Sequence, residues 1–181
     1  DEYGIRVLGQ HTANTLSALA GTSVGVAVGA GEKANLSSSS VDGGTLGVGE
    51  NVTWTAASTL TVIGGQAVLG AAPAVLAMSN GARATFTTDL LTWTTVTAQG
   101  GCDLVFLAGG TITNLTMTQE CTLDKSGDAR TLTITNSTID GDTCRFLDPL
   151  NAVTWTNATS VKQQVASGPF VFTGTRTVKV T

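Results

Sequence analysis

Leu91-Thr92-Trp93-Thr94, Asn114-Leu115-Thr116-Met117, Thr131-Leu132-Thr133-Ile134 and Val153-Thr154-Trp155-Thr156 are variants of one phrase, in which threonine alternates with a large apolar residue. The phrase starts earlier, at Thr59-Leu60-Thr61-Val62 and Val75-Leu76-Ala77-Met78. Aligning Leu60, Leu76, Trp93, Leu115, Leu132 and Val153 gives steps of 16, 17, 22, 17 and 21 residues, close to the length of one β-solenoid coil. Alternation places one set of side chains on each side of a strand, so the apolar set of every copy can face a shared core. The sequence therefore predicts an all-β, single-stranded β-solenoid, a right-handed parallel β-helix. Its expected inward pairs are Leu60/Val62, Leu76/Met78, Leu115/Met117, Leu132/Ile134 and Val153/Trp155, and its outward threonines form ladders.

Each copy is followed by a bend and a second strand. The bends are Gly64-Gly65, Asn80-Gly81, Gly100-Gly101, Gly109-Gly110, Ser126-Gly127-Asp128 and Asp140-Gly141-Asp142, residue types that tolerate a left-handed backbone or a sharp corner. The second strands run through Ala67-Val68-Leu69, Ala84-Thr85-Phe86, Leu104-Val105-Phe106, Cys121-Thr122-Leu123 and Cys144-Arg145-Phe146. Residues 1–33 read as an N-terminal arm or cap, in which Asn14 to Gly21 suggests a brief helical turn. Residues 34–160 form the solenoid. Residues 161–181 end in two strands, Pro169-Phe170-Val171-Phe172 and Thr177-Val178-Lys179-Val180, available for subunit contact. A solenoid end exposes unpaired N–H and C=O groups and must be covered.

Composition narrows the function. Charged residues are 12% of the 181, about half the usual share, and roughly one residue in six is threonine, so the surface is hydroxyl-rich rather than ionic. The formal charge of -4 and nine scattered basic residues supply no patch to neutralise a phosphate backbone, which argues against nucleic acid as a partner. No apolar run reaches the ~18 residues of a membrane-spanning helix, so no membrane partner is expected. A single histidine, His11, leaves no base for Ser/His/Asp or Cys/His catalysis, and no lysine-bearing glycine loop cradles phosphates. Five Asn-x-Ser/Thr sequons, at Asn35, Asn51, Asn114, Asn136 and Asn157, follow from asparagines at strand starts amid alternating threonines.

Cys102, Cys121 and Cys144 are spaced by 19 and 23 residues, each close to one coil, which places them in one column. Adjacent rungs lie about 4.8 Å apart, a separation that a disulfide tolerates. The column reads first as buried thiols packed as small apolar groups, with an inter-rung or intermolecular disulfide as the alternative. No metal site or cofactor is expected, because no second ligand lies at the right spacing.

The stretch from Gly127 through Thr131-Leu132-Thr133-Ile134 to Ile139, with Leu147-Asp148-Pro149 and Val153-Thr154-Trp155-Thr156-Asn157, resembles the C-terminal rungs of β-helical structural proteins of tailed bacteriophages. The resemblance implies a virion protein without enzymatic activity: a capsid decoration or cement protein on the outer capsid surface. It would bind the major capsid protein and stand as a homotrimer. On that reading, capsid attachment falls to Tyr3, Ile5, Arg6, Val7 and Leu8, and subunit contact to Phe170, Phe172 and Val178. Two alternatives share the fold. One is a glycan- or receptor-binding tail-fibre or tailspike module. The other is a polysaccharide depolymerase using Asp103, Asp124 and Asp142 stacked on successive rungs, where carboxylates two rungs apart, at about 9–10 Å, could act as acid and base.

Overall fold

The period-two alternation is realised in the described residues, where every regular element is a strand and none is a helix. The computed structural model describes residues 4–7, 10–14, 17–21, 23–28, 33–49, 52–140, 144–150, 152–155 and 160–162. Three walls of parallel strands wind about one core. The first wall stacks Gly4–Val7, Ser23–Val28, Thr45–Val48, Gln66–Leu69, Arg83–Phe86, Asp103–Phe106, Thr122–Asp124 and Arg145–Leu147. The second holds Gln10–Asn14, Lys33–Leu36 and Val52–Trp54. The third holds Ser17–Leu19, Ser39–Asp42, Thr59–Ile63, Val75–Ser79, Leu91–Gln99, Gly110–Thr118, Leu132–Asp140 and Val153–Trp155, with Ser160–Lys162 beside the end of Leu132–Asp140. This is a β-solenoid.

Register makes the core. On the first wall Leu46, Ala67, Ala84, Leu104, Leu123 and Phe146 stand in one line, and Val48, Leu69, Phe86 and Phe106 in the next. All ten are buried. Phe86 stacks on Phe106 with ring centroids 4.2 Å apart, and Trp93 meets Phe86 edge-on at 4.8 Å, geometries that add to burial. The indole fits because Gly110 lies beneath it: a Cβ there would come within 3.0 Å of the Trp93 ring and 2.8 Å of the Leu91 carbonyl. Leu60/Val62, Leu76/Met78, Leu115/Met117, Leu132/Ile134 and Val153 are all buried.

The coil differs from the repeat as aligned by sequence. Leu60 does stand opposite Leu76, but Leu76 pairs with Val96 rather than Trp93, Val96 with Leu115, and Leu115 with Ser137. Trp93 belongs to another line, with Ile112, Ile134 and Trp155, while Leu132 pairs with Gly110 and Val153. Two stretches of each nine-residue strand carry the same alternating phrase. One residue between them, Thr94 or Thr113, drops out of the ladder, and a motif of four residues cannot tell the two stretches apart.

The second wall stops after Val52–Trp54 because Gly70-Ala71-Ala72-Pro73 follows in the next coil, and proline offers no N–H to a ladder. At the other end the stack extends into the segment expected to be an arm or cap: Val24 and Val26 pair with Leu46 and Val48, and Ala18 with Val41. In place of the expected helical turn, Ser17–Leu19 is a strand leading into Gly21 at φ 76°. Gly4, Gly25 and Gly47 align there, so small residues weaken the apolar amplitude by which a rung is recognised. The C-terminal strand pair expected at 169–180 lies outside the described residues.

The corners from third to first wall use a left-handed backbone in successive coils, at Gly64, Asn80-Gly81, Gly100-Gly101 and Gln119-Glu120. Rung-to-rung bonds tie them, Gly64 N to Ser79 O at 3.0 Å and Gly81 N to Gly100 O at 2.7 Å. Because Phe86 fills the centre of the aromatic stack, Phe86→Ala is expected to cost about 3–5 kcal/mol in urea unfolding. The outward neighbour change Thr85→Ala should stay within about 0.5 kcal/mol.

Candidate functional surfaces

The outer face of the third wall is built by the same alternation that fills the core. Its central line runs Ser17, Ser40, Thr61, Ala77, Thr97, Thr116, Thr138 and Ser160. On one side stand Thr59, Val75, Thr95, Asn114 and Asn136, and on the other Asp42, Ile63, Ser79, Gln99 and Thr118. Polar side chains bond along the stack, Asn136 Nδ2 donating to Asn114 Oδ1 at 3.2 Å and Asn114 Nδ2 to the Thr94 carbonyl at 3.0 Å. Between Thr59 and Thr138 the described residues of this face carry no charge. Exposed aromatic rings are also missing among them: Trp93 is buried, and Trp54 packs half-buried against the core.

The cysteines occupy one corner. Asp103, Thr122 and Arg145 are in register, so the residues just before them, Cys102, Cys121 and Cys144, stack as well. All three are buried free thiols. Gly44, Gly65 and Ala82 hold the same place in earlier coils, and the corner is tight: a Cβ on Gly65 would lie 2.5 Å from the Gly44 carbonyl. Each of two thiols closes its corner, Cys102 Sγ donating to the Gln99 carbonyl and Cys121 Sγ to that of Thr118, both at 3.1 Å. The closeness of the Cys102 and Cys121 thiols, with burial, pushes Cys102 well above the ordinary thiol range, and the same closeness lowers Cys121.

A charged cluster sits at the opposite corner, where the first wall leads onward. Lys125 is fully buried in the line that earlier holds Phe86 and Phe106, one coil beyond Phe106. Its Nζ donates to the Asp128 carbonyl at 2.9 Å and to the Asp128 carboxylate. Arg130 donates to Asp128 Oδ1 at 2.7 Å, to the Leu107 carbonyl at 2.7 Å and to Asp89, which accepts from Gly109 N at 2.8 Å. Residues from three coils are thereby tied together. The Lys125 bond is the chief cause that holds Asp128 below its ordinary value of 3.8, and the Gly109 N–H that which lowers Asp89. Sequence reasoning missed this cluster. Its signal was Leu123-Asp124-Lys125 standing where Leu104-Val105-Phe106 stands one coil earlier.

The carboxylate column expected for a depolymerase does not form from Asp103 and Asp124. Asp103 lies opposite Thr122, and Asp124 opposite Val105 and Leu147. Asp103 instead pairs with Arg83 at 3.6 Å, and Asp124 accepts from Ser126 N and Oγ. A step of 21 residues overshoots a coil that here takes 19, so the two acids fall in different lines. Asp142 lies outside the described residues. So do Tyr3, Leu8, Phe170, Phe172 and Val178, while Ile5, Arg6 and Val7 are on the first strand, opposite Val26, Ala27 and Val28.

Buried thiols react slowly, so a thiol reagent is expected to label none of the three cysteines in the native protein and all three in strong denaturant without reductant. Asp128 stabilises the fold when ionised, because its folded value is depressed. That contribution is complete above the ordinary carboxylate value and lost as pH falls through the lowered one. Wild type should therefore lose more melting temperature than Asp128→Asn between pH 5 and pH 2, as thermal unfolding would show. Comparison with protein-family models, with curated proteins and with solved structures finds no match to this chain.

Proposed function

We propose that the chain is a non-enzymatic structural protein of a virion, a capsid decoration or cement protein that stands as a homotrimer on the outer surface and binds the major capsid protein. The observation that carries this reading is the stack of parallel, in-register strands that runs along the coil around one buried apolar core. Such a stack resists bending because every rung is bonded to two others. A stiff rod that touches several shell subunits at once opposes their separation, since each further contact is made at high effective concentration. The choice among proteins of this fold rests on the resemblance within residues 127–157, because a solenoid suits a tailspike as well. Two features weigh against the alternatives. Between Thr59 and Thr138 the described residues of the third wall offer no exposed aromatic platform for sugars, and Asp103 and Asp124 do not share a line.

Antibodies against the chain are expected to label the shell of virions that encode it, and shells lacking it should release their DNA at a lower temperature. Label on the tail, or reducing ends released from bacterial polysaccharide by the purified chain, would overturn the proposal.

A further inference from the structure

We infer that the outer face of the third wall is the surface through which copies of this chain associate, an inference that deepens the trimer reading and rests on it. The face is a continuous array. Ser40, Thr61, Ala77, Thr97, Thr116 and Thr138 follow one another on successive parallel strands without a bulge in the ladder beneath them. In a trimer such faces do not oppose one another in pairs, which is a twofold contact; each turns toward the threefold axis and meets its two neighbours.

Chemistry points to a second copy as the occupant. Every hydroxyl both donates and accepts, so an array of them complements itself, whereas a row of carboxylates or ammonium groups cannot. Stripping water from neutral hydroxyls costs less than stripping it from ions. Among the described residues Arg83, Asp103, Asp124 and Arg145 lie on the first wall and Asp89, Asp128 and Arg130 at the far corner, while the third wall carries charge only toward its two ends, at Asp42 and at Asp140 beside Lys162. For a chain of net charge -4, the stretch of the third wall between Thr59 and Thr138 is therefore where copies meet without opposing like charges. Ile63, Val75 and the threonine methyls add apolar area between the hydroxyls.

Eight strands from Ser17–Leu19 to Ser160–Lys162 span roughly 34 Å at ~4.8 Å per rung, and three outward lines with their side chains are about 20 Å wide. That gives on the order of 700 Å² per copy, divided between two neighbours, against the ~800 Å² that one partner contributes to a standard stable interface.

Sedimentation equilibrium tests this with two lysine pairs. Wild type is expected near three times 18.3 kDa. Thr97→Lys with Thr116→Lys, which charges the middle of the third wall, should bring the mass to that of one chain. Thr85→Lys with Thr122→Lys, on the first wall, should leave it unchanged. A second measurement does not depend on how the lysine variants fold. Because the native thiols are buried, spin labels attach selectively at Thr116→Cys or at Thr85→Cys, and the distance between copies should be shorter from Thr116. A trimer that survives the third-wall lysines, or shorter distances from Thr85, overturns the assignment of the face while leaving the trimer in place. A wild type that sediments as one chain overturns both, including the case in which the face holds a polysaccharide instead.

Discussion

The structure depends on one constraint: each strand bonds to a strand one coil before and one coil after, in parallel and in register. Parallel register carries a chemical consequence that antiparallel pairing does not. A residue meets its own equivalent, so whatever is placed at one position of the coil becomes a line along the rod. Leucine and phenylalanine become a filled core, glycine a turning edge, cysteine a row of thiols and threonine a hydroxyl face. Backbone groups are satisfied along the coil in the same operation, which is why so little charge is needed to keep the chain folded.

Corners carry the departures from this regularity. The left-handed turns at Asn80-Gly81 and Gly100-Gly101 use residues that adopt positive φ at low cost, while Gln119-Glu120 adopts it without that help. The following residue faces inward in a space that admits glycine, alanine or a thiol, and the Cys102 and Cys121 thiols convert that space into corner-closing hydrogen bonds. On the other side of the first wall, Lys125 replaces an aromatic in the core line and Asp128 answers its charge. A buried cation with one partner stabilises little against an apolar residue of the same size, but losing the partner is costly. The cluster formed with Arg130 and Asp89 fixes how the last coils sit on one another.

Function, on the reading proposed here, is mechanical and resides in faces rather than in a cleft. The first wall mixes both signs of charge, the far corner binds its charges internally, and the third wall is neutral between Thr59 and Thr138. That segregation follows from the register, because a charge introduced once tends to find its equivalent one coil away. It separates a surface able to lie against a like surface from those that stay in water.

Alternation, period and glycine corners were legible in the sequence, and with them the fold, because strand sidedness is a local property that Leu60/Val62 or Leu132/Ile134 already express. The cysteine spacings of 19 and 23 equal the register steps at that corner, since both count residues per coil. The alignment of coils was not legible. The same alternating phrase occupies two stretches of one long strand, and only the hydrogen-bonded pairing decides that Trp93 meets Ile112 while Val96 meets Leu115. For the same reason Asp103 and Asp124 read as a column and are not one. The glycine-poor corner at Gln119-Glu120 and the buried place of Lys125 were likewise decided by the tertiary structure, because strain and burial at a position are set by the coils above and below it and not by its neighbours in the chain.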